Sequence, residues 1–339
     1  MKIQLIHSFN DIISVDNLLS AWQEFVIGKK KKKDVQAFSL RLMDNILQLH
    51  QDLANKTYQH GGYLAFNISD PKPRNIHKAS VRDRLVHHAI YRILYPFFDK
   101  TFIFDSYSCR LDKGTHKAIG RFKFFAGKVN QNNTKTCWVL KGDIKKFFAN
   151  IDQGILKVIL REYIPDQDIF WLLDRIVVSF CANNKPAVGL PLGNLTSQLL
   201  VNIYMNQFDQ FVKHQLKAKY YIRYADDFVI MADSRPDLEN LLVDIQIFLK
   251  KKLKLELHPD KVLIKTLSSG VDFLGWVNFF DYRVLRTTTK RRMFKNISQN
   301  PNEATVNSYL GLIKNGNTWK IKEDLNKLIN PINSPLMLT

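Results

Sequence analysis

Two adjacent acids between two apolar runs constrain this chain more than any other feature: Asp226 and Asp227 in YYIRYADDFVIMA. Residues 220–224 and 228–232 are rich in aromatic and β-branched side chains, which predicts two short strands. The acids then lie at a hairpin turn, where successive side chains point to opposite faces. We therefore expect one acid to be a principal metal ligand and the other a helper. The alternative is a solvated turn, because Asp is common in turns.

The net charge of the chain limits the classes of molecule that it is expected to bind. Of 339 residues, 50 are Lys or Arg and 31 are Asp or Glu, which gives a net charge of +19. This excess predicts a polyanionic partner, with nucleic acid as first candidate and a membrane surface as rival. No apolar run reaches the roughly 18 residues of a spanning helix, and we expect no signal peptide. The three cysteines (Cys109, Cys137 and Cys181) are few and form no CxxC pair, which fits a reducing compartment with no disulfide framework and no zinc site. We therefore expect a cytoplasmic protein, and we expect no membrane partner.

Apolar spacing predicts the elements that carry these motifs. Helices are expected in residues 1–60 and over 81–98, 115–126, 153–182, 195–217 and 236–253. Short strands are expected over 63–68, 137–140, 255–257, 262–265 and 271–276. The lysine run from 29 to 33 is either a solvated loop or a phosphate contact. The last 60 residues are basic and predicted to be helical.

A third acid, Asp143, follows the apolar run of TCWVLKGDIKKFF. Two-metal phosphoryl transfer needs carboxylates from separate strands that converge on two cations about 4 Å apart. One cation lowers the pKa of the attacking hydroxyl, and the other neutralises the leaving pyrophosphate. Mg²⁺ keeps several waters, so two or three protein carboxylates suffice. The alternative for Asp143 is a strand-end residue or a helix N-cap.

Several ordered segments resemble the motifs of reverse transcriptases. WVLKGDIKKFFANID, GLPLGNLTSQLLVNIYMNQFD, RYADDFVI, LHPDKVLIK and DFLGW come in the order and spacing of the palm motifs. RNIHKASVRDR, residues 74–84, is similar to the fingers segment of group II intron-like enzymes, and SYSCRLDKGTHKAI, residues 106–119, to their next motif. The resemblance covers residues 70 to 280, and it is more specific than YADD alone.

The resemblance implies a mixed α/β (α+β) fold, the right-hand polymerase. It divides the chain into an N-terminal helical extension (1–60), fingers (61–135), a palm with an antiparallel sheet (136–280) and a short helical thumb of basic helices (281–339). A finger-like helical insertion is expected within the palm, at about 153–190.

One loop separates subfamilies. LGNLTSQ, with CRLDKGTHKA, resembles the reverse transcriptases of diversity-generating retroelements. In that family an apolar residue, here Leu192, replaces a Gln that packs near the incoming base. The resemblance implies copying that is error-prone at template adenines, a structured template RNA, and a small basic accessory protein that is oligomeric.

The resemblance also assigns catalytic roles. Asp143, Asp226 and Asp227, with the carbonyl of Ile144, are implied ligands of two Mg²⁺ ions, for which Mn²⁺ could substitute. Lys261 resembles the lysine that protonates the leaving pyrophosphate, which a general acid near a phosphate could do. A solvated lysine beside a turn is the alternative for Lys261.

Further residues are implied to bind the substrates. Phe148 resembles an aromatic gate against the ribose 2′-hydroxyl, and we expect Phe147 to be the core neighbour because strand neighbours face opposite ways. The nucleotide set is Lys72, Arg74, Phe148, Leu192, Gly193 and Gln198. The template and primer set is Arg110, Lys113, His116, Phe273, Leu274, Gly275 and Trp276, of which the last four resemble a primer grip. The alternative for Lys72 and Arg74 is a solvated basic loop, and for Phe148 it is plain core packing. For Arg110, Lys113 and His116 the alternative is surface placement without contact.

These observations favour an RNA-directed DNA polymerase that acts on template RNA, a DNA or RNA primer and dNTPs. A phage-defence or group II-like reverse transcriptase is the alternative within the class. A non-catalytic RNA-binding protein with this fold fits the charge equally well, because phosphate neutralisation carries no information about chemistry. An RNA-dependent RNA polymerase uses similar acids, but an aromatic residue at 148 disfavours ribonucleotides.

Overall fold

Helices alternate with short antiparallel strands in the computed structural model, which describes residues 3–69, 73–182, 185–314 and 316–329. The helices are α1 (Phe9–Ile13), α2 (Val15–Phe25), α3 (Lys33–Ser39), α4 (Leu42–Ala54), α5 (Val81–Asp99), α6 (Thr115–Asn130), α7 (Gln153–Arg161), α8 (Gln167–Val178), α9 (Leu195–Gln210), α10 (Arg235–Leu253), α11 (Thr287–Gln299), α12 (Glu303–Ile313) and α13 (Trp319–Ile329). The strands are β1 (Leu64–Ile68), β2 (Arg74–Lys78), β3 (Trp138–Asp143), β4 (Tyr220–Tyr224), β5 (Asp227–Ala232), β6 (Leu263–Thr266), β7 (Val271–Phe273), β8 (Trp276–Asn278) and β9 (Arg283–Leu285).

The central sheet has the order β4-β5-β3-β6 and is antiparallel throughout. Its strands are apolar on both faces because both faces are covered. Leu140 and Ile230 join a core with α5, α9 and α10, whereas Val139 and Val229 join one with α6 and β7. The predicted mixed α/β class with antiparallel sheets is therefore confirmed.

The N-terminal helices share the first of these cores. It runs from Leu5 through α2 and α5 to Leu255. Two polar contacts reinforce the packing: buried Asn17 donates to the Ala89 carbonyl at 3.2 Å, and the Phe9 amide donates to Asp166 at 2.9 Å. Helices α1 to α4 lie within residues 9–54, where helices were predicted, and they pack directly on α5 and α8.

The C-terminal helices α11, α12 and α13 form a third core around fully buried Trp276, together with Ile119 of α6. A hairpin sheet, β7-β8-β9, connects this core to the central sheet. The limits expected for the extension, fingers, palm and thumb stay predictions.

Two expected strands are wrong. Residues 271–276 are two strands, β7 and β8, because Leu274 and Gly275 make a tight turn with φ values of 51° and 87°. Residues 255–257 form only a single bridge, between Leu257 and Ile144. Apolar runs this short do not reveal an internal turn.

Within the described ranges, no helix is long and apolar enough to cross a membrane. Cys109, Cys137 and Cys181 are all free thiols.

Candidate active site

The three predicted acids lie at one end of the central sheet. Asp143 ends β3 and is the direct cross-strand partner of Asp227, the first residue of β5. The hairpin predicted from the sequence is present, with Tyr224 paired to Asp227 and with Ala225 in the left-handed region at φ 54°. The amide of Ile144 donates to the Asp226 carbonyl at 3.1 Å, which joins the turn to the end of β3. The fold thus brings together residues that are far apart in the chain.

Gly142 makes this close approach of β3 and β5 feasible. A Cβ atom at this position would lie 2.3 Å from the Phe228 ring, which is fully buried. The ring therefore occupies the space that any side chain at 142 would need. This contact places the strand ends, and with them Asp143 and Asp227, side by side.

The carboxylates at this end of the sheet repel one another. Burial is the largest cause that raises the pKa of Asp227, to about 6, and the charges of Asp226 and Asp143 raise it further. Lys141 opposes the shift, since its ammonium lies 4.0 Å from the Asp227 carboxylate and its side chain is only 12% exposed. Lys141 stands two residues before Asp143, on the same strand face, so strand periodicity in the sequence indicates its position beside the acids.

Lys261 lies beside Asp143, and its role as a general acid stays a prediction. Its ammonium donates to Asp143 at 2.7 Å, and its side chain is 42% exposed. The backbone supports this contact: the His258 amide donates to the Asp143 carbonyl at 2.8 Å, and the Lys261 amide to the His258 carbonyl at 3.1 Å. The partly exposed Lys261 ammonium is therefore held beside the Asp143 carboxylate, which is almost buried.

The donor set fits Mg²⁺, although it is not a preformed cage. Among the described residues, no three Asp, Glu, His or Cys side chains are grouped closely enough to hold a metal ion as they stand. Asp143 already contacts one positive charge, and the crowding that raises the pKa of Asp227 would be relieved by a cation. Mg²⁺ prefers oxygen ligands and keeps several waters, so Asp143, Asp226 and Asp227 are the residues that would hold it.

Sequence reasoning missed the ion pair that supports the turn carrying Asp226. Arg223, in β4, donates to both carboxylate oxygens of Asp209 at 2.7 Å, and both side chains are at most 1% exposed. The same guanidinium donates to the Ala225 carbonyl at 3.1 Å, inside the turn. Tyr221 donates to Asp209 at 2.7 Å. An arginine within an otherwise apolar strand was the available signal, because a buried charge needs a partner.

A second group of predicted residues surrounds the loop 189–194. The Leu190 amide donates to the Phe148 carbonyl at 2.8 Å, and the Leu192 carbonyl accepts from the His77 amide at 2.9 Å. This loop therefore connects the Phe148 segment to β2, the strand that begins with Arg74. Asn194, which is buried, fixes the loop end through its side chain, which donates to the His77 carbonyl at 2.8 Å.

Gly193 is required where the loop meets β2. It has a φ of 107°, and a Cβ atom there would lie 2.8 Å from Ile76. Leu192 is half-buried, Gly193 and Arg74 are exposed, and Gln198 is half-buried in the first turn of α9. Their roles in nucleotide binding stay predictions, and Lys72 lies outside the described residues.

Phe147 is 4% exposed, which agrees with its expected core position, and Phe148 is half-buried; the role of Phe148 as a gate stays a prediction. The expectation that they are strand neighbours is wrong, because both residues lie in a 3₁₀ helix, Phe147–Asn150. The two rings meet edge to face at 5.5 Å.

The residues predicted to contact template and primer divide into three groups. The Arg110 guanidinium donates to Asp99 and to the carbonyls of Ile103 and Ser106, and its side chain is 6% exposed, so it holds the fold together. Lys113 is half-buried and donates to the Phe104 carbonyl. His116 is exposed on α6.

In the predicted primer grip, Phe273 and Trp276 are fully buried, so their side chains pack in the core. Leu274 and Gly275 form the half-exposed turn between them, and the Gly275 carbonyl accepts from the Arg286 amide at 3.1 Å. Any contact of this segment with a primer would come from the turn and not from the two aromatic rings.

Comparison with known proteins identifies the family of the chain. The sequence model of the family described as "Reverse transcriptase (RNA-dependent DNA polymerase)" matches residues 68–278, which contain all three acids and Lys261. The protein YkfC of Escherichia coli is 25% identical over 75% of this chain and 74% of its own length.

Two intron proteins are also similar. The group II intron-encoded protein LtrA of Lactococcus lactis is 24% identical over 74% of this chain and 52% of its own length. The putative COX1/OXI3 intron 2 protein of Saccharomyces cerevisiae is 23% identical over 79% of this chain and 36% of its own length. The chain therefore spans about half or less of these two relatives. Since the family match covers more than half of the chain and includes its clustered acids, the protein belongs to the reverse transcriptase family of RNA-directed DNA polymerases.

Proposed function

We propose that this protein makes cDNA by two-metal nucleotidyl transfer at Asp143, Asp226 and Asp227. The single observation that carries the proposal is that the end of β3 meets the β4–β5 turn, so that Asp143 pairs with Asp227 and Asp226 lies beside them. Burial raises the pKa of Asp227 there, and the charges of Asp226 and Asp143 raise it further. Neighbouring lysines balance the negative charge of these carboxylates only in part. Carboxylates crowded in this way are therefore suited to bind divalent cations.

Each residue then has a task. Divalent cations, when bound, would lower the pKa of the primer 3′-hydroxyl and neutralise the leaving pyrophosphate. Asp143 and Asp226 hold them, and Asp227 assists. Lys261 leaves its contact with Asp143 and donates a proton to the pyrophosphate. Phe148 stands against the sugar and excludes a 2′-hydroxyl.

We further propose that the enzyme is the mutagenic type that serves a diversity-generating retroelement. Support comes from Leu192, whose carbonyl is bonded to β2 and whose apolar side chain can offer no hydrogen bond to a base. A pocket without that bond discriminates less between incoming bases. A structured template RNA, an oligomeric basic accessory protein and a cytoplasmic location belong to the same proposal.

Primer extension on an RNA template of defined sequence, with dNTPs and Mg²⁺, tests both parts. We expect DNA products whose substitutions cluster opposite template adenines. Absence of extension would contradict the polymerase assignment. Extension with errors spread evenly over the four template bases would leave the polymerase standing and contradict the mutagenic subtype.

A further inference from the structure

The outer face of α6 carries cations and an exposed ring that no role above uses. This 16-residue helix contains four Lys or Arg residues and no Asp or Glu. Lys117, Arg121, Phe124 and Lys128 recur at intervals of three or four residues, so they share one face. The Phe124 side chain is 50% exposed. This face of the helix therefore carries positive charges from Lys117 to Lys128, with the exposed Phe124 ring among them.

A second exposed ring completes the surface. Phe104, which is 66% exposed, lies against α6. The Arg121 guanidinium is 5.3 Å from the Phe104 ring centre and 5.1 Å from that of Phe124. The Lys113 ammonium is 3.6 Å from the Phe104 ring centre, and the Lys128 ammonium 5.5 Å from that of Phe124. Cations and rings therefore alternate, and we name Phe104, Lys113, Arg121, Phe124 and Lys128 the aromatic-basic strip.

The fold does not require these two rings for its core. On the same helix, Phe122 and Phe125 are 1% and 4% exposed and supply the packing against the sheet. Arg121 is held in place by Asp105, which accepts from it at 2.8 Å and is nearly buried. The strip is thus arranged before any ligand arrives, which lowers the entropy cost of binding.

The strip starts close to the candidate active site. Thr115, the first residue of α6, donates to the Tyr224 hydroxyl at 3.2 Å, two residues before Asp226. From there the helix extends about 24 Å at 1.5 Å per residue. A strand that lay on it would therefore run between the catalytic turn and the far end of the sheet.

We propose that the aromatic-basic strip binds single-stranded nucleic acid, with bases stacked on Phe104 and Phe124 and phosphates beside Lys113, Arg121 and Lys128. Stacking on aromatic side chains in a positive groove is how proteins hold unpaired strands regardless of sequence. The unpaired part of a template RNA and a single DNA strand both offer free base faces and phosphates. A duplex does not, because its base faces are already stacked, and a basic protein partner would be repelled by the strip.

Binding can be measured without catalysis, so the test of this inference is independent of the proposed polymerase activity. Fluorescence anisotropy is recorded on Asp226→Asn protein, without Mg²⁺ or dNTPs, with labelled RNA, DNA of the same sequence, and a duplex. In this background, Phe104→Leu with Phe124→Leu keeps apolar side chains but removes both ring faces. Phe104→Trp with Phe124→Trp keeps them. Thermal unfolding confirms that each variant is folded.

We expect the double Leu variant to raise the Kd for single strands about tenfold or more, and the double Trp variant to bind as tightly as the parent. Duplex affinity should change little. A larger loss with RNA or with DNA identifies which strand the strip holds, and either supports the proposal. Equal Kd values for parent and Leu variant, or equal losses for Leu and Trp variants, would overturn it.

A charge reversal within the strip, compared with one elsewhere on the surface, tests the proposal independently. Lys128→Glu should weaken single-strand binding at low salt more than Lys251→Glu, an exposed lysine on α10. Equal effects of the two substitutions would show only a general dependence on net charge and would contradict a defined strip. A co-purifying protein that is lost with the Leu variant, while strand affinity stays unchanged, would also contradict it.

Discussion

Arg223 donates two hydrogen bonds of 2.7 Å to Asp209 and a third, of 3.1 Å, to the Ala225 carbonyl in the turn that carries Asp226. The pair is fully enclosed. Loss of one partner leaves an uncompensated buried charge, which costs about 3–5 kcal/mol. The turn geometry, and hence the position of Asp226 and Asp227, depends on this pair.

Asp209→Leu is therefore expected to lower the free energy of unfolding by about 3–5 kcal/mol, measured by urea denaturation. Glu239→Gln, which breaks the exposed pair with Arg235, is the matched control and should cost less than about 1 kcal/mol. Similar small losses for both substitutions would show that the buried pair does not support the fold.

The raised pKa of Asp227 gives a pH dependence for the metal-free protein. The folded state binds this proton more tightly than the unfolded state, whose pKa is near the ordinary 3.8. Stability therefore falls as pH rises from about 4 to about 6, and the penalty is complete above that range.

Asp227→Asn removes this penalty, so the metal-free variant should be more stable than the parent by about 1–3 kcal/mol at pH 8 and no more stable near pH 4. Urea unfolding at the two pH values measures the difference. Added Mg²⁺ should stabilise the parent more than the variant. A variant that is less stable at pH 8 would contradict the crowded-carboxylate account.

Phe148 is half-buried, with its carbonyl bonded to Leu190. If its ring limits the sugar pocket, Phe148→Ala should raise the use of ribonucleotides relative to dNTPs, by about tenfold or more in kcat/KM, because the clash with the 2′-hydroxyl is removed. Single-nucleotide insertion kinetics measure the ratio. Phe147→Leu, in the core beside it, should leave the ratio near the parent value. An unchanged ratio in Phe148→Ala would exclude the gate.

Leu192→Gln should lower misincorporation opposite template adenine, since the side chain regains a hydrogen-bonding group near the predicted base pocket. Sequencing of cDNA from parent and variant on one RNA measures the error spectrum. Leu195→Gln, three residues along at the start of α9, is the control for added polarity in the same region. Identical spectra for parent and Leu192→Gln would remove the physical link between this loop and mutagenesis.

The sequence predicted the hairpin and the strand of Asp143 because alternating apolar runs that flank acids are local signals. The primer-grip segment was harder, since the turn at Leu274 and Gly275 interrupts an apolar run that looks continuous. The Arg223–Asp209 pair and the internal bonds of Arg110 were not predicted. Both depend on which distant residues meet, and residue type alone does not distinguish a buried arginine from one that binds phosphate.

The most direct test compares Asp226→Asn with the parent in primer extension on RNA, with dNTPs and Mg²⁺. Because Asp226 is assigned to the metals and not to the nucleic acid, extension should fall at least about a thousandfold while the Kd for template-primer changes less than about threefold. Extension close to the parent rate, with the variant folded, would contradict the two-metal centre.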